Sequence, residues 1–190
     1  MGRLAPEVGE FGGDVRLDRV TDAQNPRPPG AEPAKPPLAV VVVAAGAGTR
    51  LGQGIPKALV PLAGEPMLVH ALRGVVAAGI ARQVCVAVPA DDDELAAACR
   101  AFALDLAAQA TAPEVTVVRG GQTRADSVRA ALEALRAGTA HVLVHDAARP
   151  LTPPDVFRRV AIALRHGAEA VIPAVPVVDT IKSVAATAGE

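Results

Sequence analysis

Two cations set in a glycine-rich stretch are where chemistry is first legible. Leu38 to Lys57 reads LAVVVVAAGAGTRLGQGIPK: an apolar run, Leu38 to Ala45, followed by Gly46, Gly48, Gly52 and Gly54, with Arg50 and Lys57 seven positions apart. Glycines after a buried strand let backbone approach a ligand closely, and the cations make a phosphate-bearing nucleotide the natural candidate. Two commoner phosphate motifs do not fit. A dinucleotide fingerprint needs Gly-x-Gly-x-x-Gly, but Gly46-Ala47-Gly48-Thr49-Arg50 is followed by Leu51; nor does an acid follow at a second strand's end, since Glu65 lies in a Pro-Leu-Ala-Gly-Glu-Pro turn. A P-loop needs Gly-Lys-Ser/Thr opening a helix, whereas Lys57 follows Ile55-Pro56. What remains is an open loop whose cations can embrace a triphosphate from two sides.

The elements that must position this loop alternate. After the first strand, residues 66–78 are expected to be helical with Gly79 as a stop, then strand 83–88, helix 91–107 with acids in its first turn, and strand 114–118. Helix 124–136 follows with Val128, Ala131, Leu132 and Leu135 on one face, then strand 141–145, helix 155–166 with Val156, Val160 and Leu164 inward, and strand 170–172. A sixth strand can start at Thr180. This alternation implies βαβ units and a mostly parallel, three-layer α/β sheet of the Rossmann-like kind. Ligands of such sheets sit beyond the carboxyl ends of the strands, which singles out loops 46–57, 119–124 and 145–154. Residues 1–37 hold seven of the chain's 17 prolines, mixed with charges, and read as a disordered extension that carries no chemistry; residues 38–190 form the domain.

Composition narrows the functions. The chain has 190 residues and is 51% hydrophobic, enough for a sizeable core, but it has no Trp or Tyr, so no base can be sandwiched between such rings. A net charge of −1 argues against a nucleic-acid surface. Cys85 and Cys99 lack metal-site spacing and read as two buried thiols of a reducing compartment. With no apolar segment of membrane-spanning length and no signal-peptide core, a soluble cytoplasmic protein is expected.

Four motifs in order carry a resemblance. Ala44-Ala45-Gly46-x-Gly48-Thr49-Arg50-Leu51 with Pro56-Lys57 resembles the signature loop of nucleotidyltransferases that couple a nucleoside triphosphate to a sugar or polyol phosphate. Gly120-Gly121-Gln122-Thr123-Arg124-Ala125-Asp126-Ser127-Val128, Val144-His145-Asp146-Ala147-Ala148-Arg149-Pro150 and Val178-Asp179-Thr180-Ile181-Lys182 resemble, within that superfamily, the 2-C-methyl-D-erythritol 4-phosphate cytidylyltransferases of the non-mevalonate isoprenoid pathway. Neighbouring polyol-phosphate cytidylyltransferases and a non-catalytic CTP-binding protein are the alternatives.

The resemblance implies transfer of CMP from CTP to methylerythritol phosphate. Arg50 and Lys57 would stabilise the α-phosphate; Ala44, Ala45, Gly46 and Gly48 would hold base and phosphates; Gly121, Gln122 and Ser127 would grip cytosine and ribose, although Gln122 stands where the family often has an acid. Thr180 would touch methylerythritol phosphate, with a strand-entry threonine as the plainer reading. Asp146, at the end of an apolar strand, would hold Mg²⁺ against the triphosphate, or else pair with Arg149. Thr123 and Asp126 also read as a helix capping box, and His145 as a core histidine rather than a base. The family continues for some tens of residues past Glu190, through an arm that makes a homodimer and supplies part of the acceptor site. The sequence is accordingly expected to be a fragment or an inactive truncation, a poor catalyst with an exposed sheet edge.

Overall fold

In the computed structural model, the described residues are 37–45, 56–176, 178 and 180. The expectations for the Pro-rich extension, for Gly46, Gly48 and Arg50, and for a strand continuing beyond Thr180 lie outside them.

Four strands form one parallel sheet: β1 (Leu38–Val43), β4 (Gln83–Val88), β5 (Glu114–Arg119) and β6 (His141–Asp146), in the order β5-β4-β1-β6. β1 and β4 are buried along their whole length, which is why both read as continuous apolar runs with no alternation. Val40, Val42, Val84 and Val86 face one way and pack on α1 (Met67–Ala77), α2 (Asp93–Leu106) and α4 (Pro154–Arg165). Val41, Val43, Cys85 and Ala87 face the other way, onto α3 (Arg124–Glu133). Helices on both faces confirm the three-layer α/β expectation. Each fully buried Leu or Val contributes roughly 1.5–3 kcal/mol of burial free energy.

Local signals explain the helix ends. Gly79 takes φ +63 and donates its N–H to the Val76 carbonyl at 3.0 Å, so the expected stop after α1 is a left-handed glycine. Asp92 caps α2 by accepting from the Leu95 N–H at 2.9 Å. Ala63 and Gly64, both at positive φ, turn the two-residue strands β2 (Pro61–Leu62) and β3 (Glu65–Pro66) into a small hairpin, clasped by the Arg73–Glu65 ion pair. The turn is legible in the sequence; its short ladder is not.

Three expectations change. Ala170–Ile172 is not a strand: Ile172 is 86% exposed and residues 170–172 pair with no strand among the described residues, since apolar composition alone cannot supply the ladder a strand requires. Leu132 is exposed because the buried arc of α3 is centred on Ser127 and Ala131, leaving Leu132 at its rim. In α4 the fully buried residues are Phe157 and Ala161; Val160 and Leu164 pack half-buried on the same core, as expected, while Val156 is half-buried outside that cluster. Both cysteines are free and buried, as expected, and burial pushes the Cys85 thiol up to about 11 and that of Cys99 to about 12.

Candidate nucleotide site

The chain runs from β1 outward through β4 to β5, then returns by α3 to place β6 on the other side of β1. β1 and β6 are thereby neighbours that are distant in sequence, and a crevice opens at their carboxyl ends. Val43 of β1 is in register with Asp146 of β6. The Ala147 N–H donates to the Val43 carbonyl at 3.0 Å and the Ala44 N–H to the Ala87 carbonyl at 2.8 Å, which extends the ladder slightly and steadies both exits.

A cleft of about 750 Å³ occupies this crevice. Its walls bring together the described parts of all three loops singled out from sequence: Ala44, Ala45 and Lys57; Gln122 to Arg124 with Ser127; and Asp146 to Arg149. Lys57, just after Pro56, opens a single 3-10 turn, Lys57–Leu59, pinned by the buried Ala58. Thr180 is not part of this cleft; it is exposed and lies outside regular structure.

The β5–α3 loop is shaped by what a side chain would strike. A Cβ on Gly120 would sit 2.7 Å from the Ala45 Cβ and 2.8 Å from the Ser127 Oγ, and one on Gly121 would collide with Asp126. Ser127 is 1% exposed; its hydroxyl accepts from the Gly121 N–H at 3.2 Å and donates to the Thr123 carbonyl at 3.0 Å. That hydroxyl is engaged inside the loop, so it acts on the cleft by holding Gly121 and Gln122, which are themselves exposed. The expected capping box is present: the Thr123 hydroxyl accepts from the Asp126 N–H at 3.1 Å, and the Asp126 carboxylate accepts from the Thr123 N–H at 3.2 Å. Hydrogen bonds from Thr123, with Arg129 adding, hold the Asp126 carboxyl below the usual carboxylate range.

Asp146 is the one carboxylate among the described lining residues, against Lys57, Arg124 and Arg149. Its Oδ1 accepts from Arg124 Nε at 3.1 Å and Nη2 at 2.9 Å, and its Oδ2 faces Arg149 Nε at 3.7 Å. The expected Arg149 partner is thus the weaker of two. Arg124 is the residue that motif reading misses, yet the sequence holds a signal for it: it is the first residue of α3, where the helix dipole disfavours a cation unless an anion sits beside it. His145, one residue before Asp146, is not among the cleft's lining residues. It is buried, edge-on to Phe157 with ring centroids 4.9 Å apart, and burial holds its imidazole below the ordinary histidine range. That environment suits a core histidine.

The described lining thus sets three cations against one carboxylate at the carboxyl ends of β1 and β6, a balance of charge that suits a polyanion. The comparisons agree in kind. Residues 38–189 match the family model of 2-C-methyl-D-erythritol 4-phosphate cytidylyltransferase. A bifunctional enzyme IspD/IspF of Clavibacter michiganensis is 50% identical over 149 residues, covering 78% of this chain and 35% of that one. A 2-C-methyl-D-erythritol 4-phosphate cytidylyltransferase of Streptomyces coelicolor is 47% identical over 163 residues, covering 85% of this chain and 58% of its own. Among solved structures, a 4-diphosphocytidyl-2C-methyl-D-erythritol synthase superposes with a TM-score of 0.62 at 29% identity, covering 80% of this chain and 65% of the other. The chain spans 35–66% of the length of the curated relatives it matches.

Proposed function

Because this chain belongs to the 2-C-methyl-D-erythritol 4-phosphate cytidylyltransferase family, we propose that it transfers CMP from CTP to 2-C-methyl-D-erythritol 4-phosphate, releasing pyrophosphate. The observation that carries this reading is the cleft that gathers Lys57, Arg124, Arg149 and Asp146, with both arginines on the carboxylate. A phosphate oxygen of methylerythritol phosphate attacks the α-phosphorus of CTP; the bond from that phosphorus to the bridging oxygen breaks, and pyrophosphate leaves with the electron pair. A phosphate monoester is largely dianionic near neutral pH, so the attack needs no general base, in keeping with a buried His145. The protein's work is then to align the reactants and neutralise charge on the transferring group. Lys57 and Arg50 serve the α-phosphate; Ala44, Ala45, Gly46 and Gly48 supply backbone contacts to base and phosphates. Gly121 and Gln122 hold cytosine and ribose on the loop fastened by Ser127, and Thr180 contacts the acceptor.

Among the described residues no group of three His, Cys, Asp or Glu could hold a metal, so no resident cage is built there. A single carboxylate on the cleft wall fits an ion that arrives on a triphosphate, because Mg²⁺ is commonly held by one or two carboxylates and phosphate oxygens. Asp146 would hold it there, and the ion would supply charge neutralisation of the phosphates. The same reading includes a cytoplasmic homodimer; no helix among the described residues is long and apolar enough to cross a membrane.

Pyrophosphate release tests the reaction. CTP should be preferred over UTP, ATP and GTP, and methylerythritol phosphate over ribitol phosphate. Preference for another nucleotide, or for ribitol phosphate, would replace the proposed substrates; tight binding of Mg·CTP without turnover would point to a non-catalytic nucleotide-binding role.

A further inference from the structure

Arg124 has no task in the reaction as proposed, and its position works against the local electrostatics of its own helix. It opens α3, where the exposed N–H groups already carry partial positive charge. The acid nearest in sequence does not compensate it: Asp126 binds Thr123 and pairs with Arg129 at 3.0 Å. Arg124 instead reaches across the cleft to β6 and places both Nε and Nη2 on Asp146 Oδ1. With Arg149 at 3.7 Å from Oδ2, each carboxylate oxygen faces a guanidinium.

We propose that Arg124 is an intramolecular stand-in for the divalent ion. It occupies the Asp146 carboxylate while the cleft is free of nucleotide, and transfers to the triphosphate when a nucleotide-bound ion takes the carboxylate over. This rests on the reading of Asp146 as the metal-holding group. The exchange is inexpensive because the pair is open to water, with the Arg124 side chain 60% and the Asp146 side chain 36% exposed, and ion pairs so placed are weak. The exchange also sets the order of entry. A free dication approaching Asp146 meets the Arg124 and Arg149 guanidiniums and must displace one of them, with Lys57 adding positive charge to the same cleft. A dication on a triphosphate brings an excess of negative charge, so the displaced guanidinium gains a phosphate partner in place of the carboxylate it loses.

Binding of Mn²⁺ to the full chain, followed by the electron paramagnetic resonance signal of the free ion, tests this without reference to turnover. It is measured with the ion alone and with a non-hydrolysable CTP analogue bridged by methylene between the α and β phosphorus. Arg124→Gln should bind Mn²⁺ alone about three- to tenfold more tightly than the wild type, the scale of one exposed ion pair and one removed like charge. It should bind the Mn²⁺–analogue complex more weakly. Arg124→Lys, which keeps the charge, should stay close to the wild type for the ion alone. Asp146→Asn should weaken Mn²⁺ binding with and without the analogue. If Asp146→Asn weakens binding but Arg124→Gln leaves Mn²⁺ alone unchanged or weaker, the metal reading stands and the stand-in role is overturned. If Asp146→Asn changes nothing in either state, the metal reading fails and the stand-in role with it.

Discussion

Two recesses of nearly equal size meet at the end of β6, about 750 Å³ in the cleft beside β1 and about 740 Å³ on the outer flank against α4. Asp146 and Arg149 border both. The first is walled by backbone exits and three cations; the second chiefly by apolar side chains such as Val142, Phe157, Val160 and Leu164. Volume therefore does not distinguish a site from a gap in packing. What distinguishes them is position relative to the carboxyl ends of the strands. Beyond the carboxyl ends of β1 and β6, backbone exits and loop cations converge; along the flank of β6, an edge of the sheet among the described residues, side chains packed between sheet and helix make the wall.

This contrast can be broken most sharply at Lys57. Lys57→Ala should cut pyrophosphate release by about 10²–10³-fold, the usual loss of one group that stabilises transition-state charge, while thermal unfolding barely moves because the side chain is not core. A loss below tenfold would remove Lys57 from the reaction. On the flank the expectation inverts. Phe157→Ala should lower stability to urea by about 3 kcal/mol through the cavity left beside His145, with CTP affinity of the folded fraction retained. Equal damage to both properties would show that the two recesses are not independent.

Smaller effects sharpen the same contrast. Gly121→Ala should weaken CTP binding by about tenfold, the size of a moderate local strain, since its Cβ would push against Asp126 and shift Gln122; calorimetry checks this. Least in size is a pH effect on the flank side. Burial depresses the folded pKa of His145, so the unfolded chain binds the extra proton more readily and stability rises with pH. The contribution is complete above the ordinary histidine value of about 6.5 and is lost as pH falls from there toward the depressed folded value. Urea midpoints across that window should slope upward with pH in the wild type and less so in His145→Phe, whereas a downward slope attributable to His145 would contradict its burial.

How far the chain was legible depends on the range of the interaction. β1 and β4 could be read directly, since runs of Val and Ala bounded by turn residues announce buried strands whatever surrounds them. The Thr123–Asp126 box and the Gly79 stop were legible because each partner lies within four residues. Ala170–Ile172 misled because its composition reports a willingness to pair, and pairing needs a neighbour that composition cannot name. Leu132 misled by one step of helical phase, which only the packing of α3 against β1 and β4 sets.

At the site, the residue types and their order along the chain already implied a triphosphate clamp: glycines flanking Arg50, then Lys57, then an acid at the end of an apolar strand. Those are properties of neighbours in sequence, where backbone freedom and charge can be read directly. The pairing of Arg124 with Asp146 is of another kind. It joins side chains 22 positions apart from α3 and β6, and it exists because the return through α3 sets β6 beside β1 and turns the first residue of that helix toward the strand's end. Sheet order is chosen by burial of whole faces, a sum over many residues, so only the tertiary structure could decide which cation the carboxylate would meet.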